Sequence, residues 1–86
     1  MNKIINGRKY DSRTAAMIYS TWRTYRNDKW TELYLKKNGE FFLEYHTTWE
    51  GDESTITPLT DEEAREACMN NLDADEYEAI WGEVEE

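Results

Sequence analysis

Apolar and polar positions alternate along this chain with changing period, and the changes divide it into elements. Ile4 and Ile5 precede Asn6-Gly7, a turn signal, so Lys3–Tyr10 reads as a short strand or turn. Asp11 or Ser12 is then placed to cap a helix. Ala15, Ile18, Trp22 and Tyr25 follow at i, i+3, i+7 and i+10, one face of a helix that stops at Asn27-Asp28. Trp30–Lys37 and Glu40–Thr48 are rich in aromatic and branched residues and flank Asn38-Gly39, the strongest short-range hairpin signal. A two-residue loop pairs Leu35 with Phe42, Tyr34 with Leu43 and Leu33 with Glu44, and a longer loop changes those partners. Both faces of this hairpin are partly apolar, which leaves its core face open.

Thr55–Leu59 alternates as a third strand, and Pro58 near its end argues for an edge position. Thr60-Asp61-Glu62-Glu63 fits a capping box, and the helix it opens turns Ala64, Ala67, Cys68 and Leu72 inward. Asp73-Ala74-Asp75-Glu76 repeats the start signal. Tyr77, Ile80, Trp81 and Val84 then form an apolar stripe. The expected order is β-α-β-β-β-α-α. This is a single α+β domain over residues 1–86: a small antiparallel sheet of N-terminal strand, hairpin and short third strand, packed by one N-terminal and two C-terminal helices.

Composition changes this picture little. In 86 residues the apolar share is 38%, carried by four Trp, six Tyr and two Phe, which can fill a small core and leave a few aromatics for an interface. One cysteine, Cys68, allows no intrachain disulfide, and no apolar run is long enough for a signal peptide or a membrane span, so a cytoplasmic protein is expected.

Charge changes it more. Residues 1–38 hold nine Lys or Arg and three acids, whereas residues 39–86 hold sixteen acids and one base, Arg65. Helix first turns, where acids complement the macrodipole, explain Asp61, Glu62, Glu63, Asp75 and Glu76. They do not explain Glu50, Asp52 and Glu53 in a loop, or Glu83, Glu85 and Glu86 at a helix C-terminus, where the dipole disfavours acids. Acids three and four residues apart on a helix lie about 5–6 Å from one another, a spacing that imitates a row of phosphates.

Catalytic and metal chemistry find little support. With only His46 and Cys68 as soft ligands, structural zinc is excluded and no cofactor is implied. His46, opposite Thr31 in the two-residue-loop register, reads as an ordinary strand residue, and Cys68 as a small core residue. No nucleophile, base and acid set stands out, which argues against an enzyme. Arg13, Arg23, Arg26 and Lys29 near Trp22 and Trp30 use the vocabulary of single-strand binding, but a net charge of −9 opposes a polyanion.

The segments Ile5-Asn6-Gly7-Arg8-Lys9-Tyr10-Asp11, Leu33-Tyr34 through Lys37-Asn38-Gly39-Glu40-Phe41-Phe42-Leu43, Thr60-Asp61-Glu62-Glu63-Ala64 and Asp75-Glu76-Tyr77-Glu78 resemble small uncharacterised proteins of plasmids, phages and conjugative elements of Gram-positive bacteria. That resemblance implies a mobile-element accessory protein, and anti-CRISPR proteins are an analogy of context. The expected function is a non-enzymatic inhibitor that docks an acidic helical face on a basic protein such as a nuclease or repressor. Glu62, Glu66, Asp73, Asp75, Glu76, Glu78, Glu83 and Glu85 would carry that face. The alternatives are a self-associating module, in which the basic helix of one copy meets the acidic helices of another, and a nucleic-acid binder through Arg13, Trp22, Arg23, Arg26, Lys29 and Trp30.

Overall fold

The computed structural model describes residues 2–21, 29–48 and 54–85. Strands β1 (Asn2–Ile5) and β2 (Arg8–Asp11) pair antiparallel around Asn6 and Gly7, whose φ values of +52° and +76° are those a two-residue hairpin turn demands at both central positions. Asp11 then turns the chain. Its side chain accepts from the Arg13 backbone N–H at 2.9 Å, and its carbonyl accepts from the Thr14 N–H at 3.2 Å.

The chain next enters β3 (Ala16–Ser20), not a helix, which corrects the expected N-terminal helix. The physical reason is threefold. Asp11 spends its oxygen on a local turn that competes with helix initiation. Ile18 and Tyr19 suit a pleated surface. The register also shifts between Met17 and Tyr19, so Ile18 and Tyr19 both pack on one core cluster, and this break in the period of two imitates helical spacing. Trp22, Tyr25 and the expected stop at Asn27-Asp28 lie outside the described residues.

Strands β4 (Lys29–Leu35) and β5 (Phe41–Thr47) form the expected hairpin with a longer loop. The Gly39 N–H donates to the Lys36 carbonyl at 3.0 Å and the Lys36 N–H to the Glu40 carbonyl at 2.7 Å, so Lys37, Asn38 and Gly39 close it, with Gly39 at φ +92°. The extra residue moves every pair by one. Leu35 faces Phe41, Tyr34 faces Phe42, Leu33 faces Leu43, Glu32 faces Glu44 and Trp30 faces His46. Strand β6 (Thr55–Leu59) completes the sheet in the order β3-β4-β5-β6, with Pro58 on the edge strand as expected.

Alternate residues of β4 and β5 point to opposite sides, and both sides of the sheet are covered. On one, Leu33 and Phe41 pack with Ala64 and Cys68 of α1 (Asp61–Asn71) and with Tyr77, Ile80 and Trp81 of α2 (Ala74–Trp81). On the other, Tyr10 of the β1-β2 hairpin packs on Phe42 and Ile56, its ring edge-on to Phe42 at 5.5 Å while Tyr34 stacks on Phe42 at 5.3 Å. The helices start as expected. Thr60 and Glu63 exchange capping-box bonds of 3.1 and 2.9 Å, and Asp73 and Glu76 exchange theirs at 2.9 and 3.1 Å. Gly82, at φ +93°, ends α2, so Val84 lies beyond the helix and is 56% exposed; it is not part of the buried stripe. The architecture is α+β, with a two-stranded sheet, a four-stranded sheet and two C-terminal helices; the N-terminal strand pairs with β2 in its own sheet and does not join the central hairpin as expected. Among the described residues no helix is long and apolar enough to cross a membrane.

Two predictions test this architecture. Phe42→Ala removes the ring that joins the β1-β2 hairpin to the sheet, and should cost about 3–5 kcal/mol in urea denaturation. The second concerns acid. Hydrogen bonds from Arg13 hold the Asp11 carboxyl at about 2, and those from Lys36 and then Asn38 hold Glu40 at about 2. Both groups are depressed on folding, so their stabilisation is complete above the ordinary carboxylate range, near pH 4, and is lost as pH falls toward 2. Denaturation midpoints of Asp11→Asn and Glu40→Gln, measured from pH 5 to 2, should therefore fall less steeply than those of the parent chain.

Candidate functional site

The expected acidic face divides by use once its residues are placed. Glu62, Glu66, Asp73, Asp75, Glu76, Glu83 and Glu85 are exposed and Glu78 is half-buried. Asp73 and Glu76 are spent on the α2 cap. Glu78 Oε2 accepts from the Val84 N–H at 2.8 Å and pins the chain beyond α2. The side chains of Glu62, Glu66, Asp75, Glu83 and Glu85 have no hydrogen-bond or ion-pair partner among the described residues. Arg65 does not neutralise them: its guanidinium lies over the Trp81 ring, 5.0 Å from the centroid. Asp73, Asp75, Glu78 and Glu85 come together around one open cleft, whose apolar wall is Met69, Leu72, Tyr77 and Val84. Glu62, Glu66, Glu76 and Glu83 lie outside that lining. Met69, 58% exposed, was not among the expected site residues, because a lone Met outside the helical stripe gives no signal.

The basic residues have a different fate. Arg13 closes two contacts on Asp11, at 3.2 and 3.1 Å, and Lys9 reaches the same carboxylate at 3.9 Å. Arg8 and Lys36 each lie 3.0 Å from Glu40, and the Lys36 ammonium sits over the Tyr10 ring. Much of the basic half is thus internally paired. Of the expected nucleic-acid face, Arg13 belongs to a turn and Lys29 and Trp30 to the start of β4, so no helix carries them. The Trp30 ring is occupied by His46, stacked at 5.0 Å and 13°. Trp22, Arg23 and Arg26 lie outside the described residues, as do Glu50, Asp52, Glu53 and Glu86.

The β4-β5 register assembles one further group. Glu32 and Glu44 face each other across the ladder, and His46 follows Glu44 on the same side of the sheet. His46 Nε2 lies 2.9 Å from Glu32 Oε1 and 2.9 Å from Glu44 Oε1, without alignment for a hydrogen bond to either. Glu44 is 1% exposed, and its Oε2 is buried without a hydrogen-bond partner. The Tyr34 hydroxyl donates to Glu32 Oε1 at 3.0 Å, and burial followed by that bond pushes Tyr34 up to about 12. This group was hidden in the two-residue-loop register, where Glu44 faced Leu33 and His46 faced Thr31.

The division of the acids is testable in stability measurements. Asp73→Ala should cost about 1 kcal/mol through the lost cap, whereas Glu83→Gln and Glu85→Gln should stay within about 0.5 kcal/mol of the parent chain. Compared with known proteins, the chain matches no protein family, no curated protein and no solved structure.

Proposed function

We propose that this chain is a small, non-enzymatic protein-binding inhibitor that docks its helical layer on a basic, nucleic-acid-binding protein, as an anti-CRISPR or other DNA mimic would. The observation that carries the reading is the set of five exposed acids, Glu62, Glu66, Asp75, Glu83 and Glu85, without a cationic partner among the described residues. Excess like charge on one small domain costs folding energy through self-repulsion. A cationic surface would convert that cost into association free energy and a faster encounter. The cleft that Asp75 and Glu85 line adds what charge cannot supply: Met69 and Val84 offer exposed apolar contact, and a docking surface needs a desolvated anchor among its charges. The partner is thus a basic surface carrying a protruding apolar side chain, met in the cytoplasm of a cell that hosts a mobile element.

Self-association is the second reading, favoured by the placement of charge on opposite layers. The β1-β2 hairpin and the turn after it carry Lys3, Arg8, Lys9 and Arg13 against Asp11, on the side of the sheet opposite the acidic helices. Two copies stacked head to tail would bring the layers together.

One experiment separates the readings. The parent chain and a Glu62→Gln, Glu66→Gln, Glu83→Gln, Glu85→Gln variant serve as baits for host lysate at 50 and 500 mM salt. Captured proteins are identified by mass spectrometry, and light scattering follows the mass of each bait. The expected result is a basic nucleic-acid-binding protein on the parent bait, released at high salt and missing from the variant. Identical capture by both baits would refute the docking reading. A dimer at low salt that the variant loses would favour self-association.

A further inference from the structure

We propose that Glu32, Glu44 and His46 form a binding site for a divalent transition-metal ion. The inference is independent of the acidic helical layer, which packs on the other side of the sheet. Its starting point is a conflict in the ladder. Like charges directly opposite each other in an antiparallel pair destabilise it, yet Glu32 faces Glu44 in the middle of β4-β5. One of the two is almost wholly buried, and a buried carboxylate is tolerated only when a cation or hydrogen bonds satisfy it. Among the described residues no Lys or Arg forms an ion pair with either. What lies between them is one imidazole nitrogen, 2.9 Å from an oxygen of each.

The donor set points to the ligand class. Two carboxylates and an imidazole, each offering an atom within 4.8 Å of the others, suit zinc, manganese, iron or cobalt; calcium and magnesium prefer sites built wholly of oxygen. In octahedral coordination, metal bonds of about 2.0–2.2 Å place neighbouring ligand atoms about 2.8–3.1 Å apart, closer than the tetrahedral geometry usual for zinc. The 2.9 Å contacts fall in that range. Three protein ligands on one side leave further positions to water. Glu44 Oε2, buried and without a hydrogen-bond partner, gives the set a second oxygen from the same carboxylate.

The surroundings hold the ligands in place. The Tyr34 hydroxyl fixes one oxygen of Glu32, and the Trp30 ring lies flat on His46, so two ligands have their orientation set before any ion arrives. The register does the rest. A ladder pair places the two carboxylates opposite each other, and the period of two places the imidazole next to them on the same side.

The chain, stripped with EDTA and dialysed, is titrated with zinc chloride and, separately, manganese chloride by calorimetry and by proton NMR. His46 is the only histidine, so its ring signals are an unambiguous probe that needs no variant. The expected result is one ion per chain, with broadening of the His46 ring signals by substoichiometric manganese ahead of signals from the α1 and α2 acids. Glu44→Gln should weaken binding at least tenfold, and Tyr34→Phe, a positioning change, by about tenfold. Glu83→Gln and Glu85→Gln should leave it unchanged. A cobalt(II) spectrum without a thiolate charge-transfer band would exclude Cys68 as a ligand. Unchanged His46 signals at excess metal would overturn the proposal. So would broadening that follows the helix acids first, or equal affinity in Glu44→Gln.

Discussion

Leu33 and Phe42 occupy adjacent rows of the β4-β5 ladder, point to opposite sides of the sheet, and expose no surface. Everything else is arranged around that pair of rows. Leu33 gives the helices a surface to cover, and Phe42 gives the β1-β2 hairpin one. A chain of this length has little apolar residue to spare, and a sheet wet on one side would waste half of its aromatics. Covering both sides turns a single ladder into two small cores. The condition is strict register, because a slip of one residue between the strands would put Leu33 and Phe42 on the same side and leave the other core without its central side chain.

Register in turn depends on the loop at Lys36–Glu40. Gly39 adopts the positive φ that the third loop residue needs, and Glu40 receives Lys36, Asn38 and Arg8 at 3.0, 2.6 and 3.0 Å. Arg8 belongs to the N-terminal hairpin, so Glu40 ties the loop to the layer that the loop's register positions. Four cations of the basic half thus serve the structure. Arg8, Lys9, Arg13 and Lys36 are drawn toward Asp11 and Glu40, while Glu62, Glu66, Asp75, Glu83 and Glu85 are left to solvent.

How much of this could be read in advance depended on how local the determinant was. Capping boxes are local, and Thr60-Glu63 and Asp73-Glu76 were legible residue by residue. Pro58 announced its edge strand for the same reason. The β3 segment was not legible, because Ile18 and Tyr19 are assigned by their partners on β4 and by a bulge, neither of which leaves a mark in spacing. The candidate sites split the same way. The exposed acids follow from composition and helix ends. The Glu32, Glu44 and His46 group needs a three-residue loop, and Asn38-Gly39 signals a turn without stating its length.

Two departures from ordinary practice remain after the fold is accounted for, and they lie on opposite sides of one sheet. Folded chains break local rules where function requires it, and the remainder of the structure absorbs the cost. On the helical side, Glu62, Glu66, Asp75, Glu83 and Glu85 are exposed and form no ion pair among the described residues. On the hairpin side, two carboxylates oppose each other in a ladder beside the only imidazole. Helix capping accounts for Glu63, Asp73 and Glu76, and loop anchoring accounts for Glu40; neither accounts for Glu44, whose burial would be better served by any apolar residue of similar size. Both departures call for positive charge. The exposed acids are open to a protein surface, whereas Glu44 is buried within the ladder, so the two sites are chemically as well as spatially distinct.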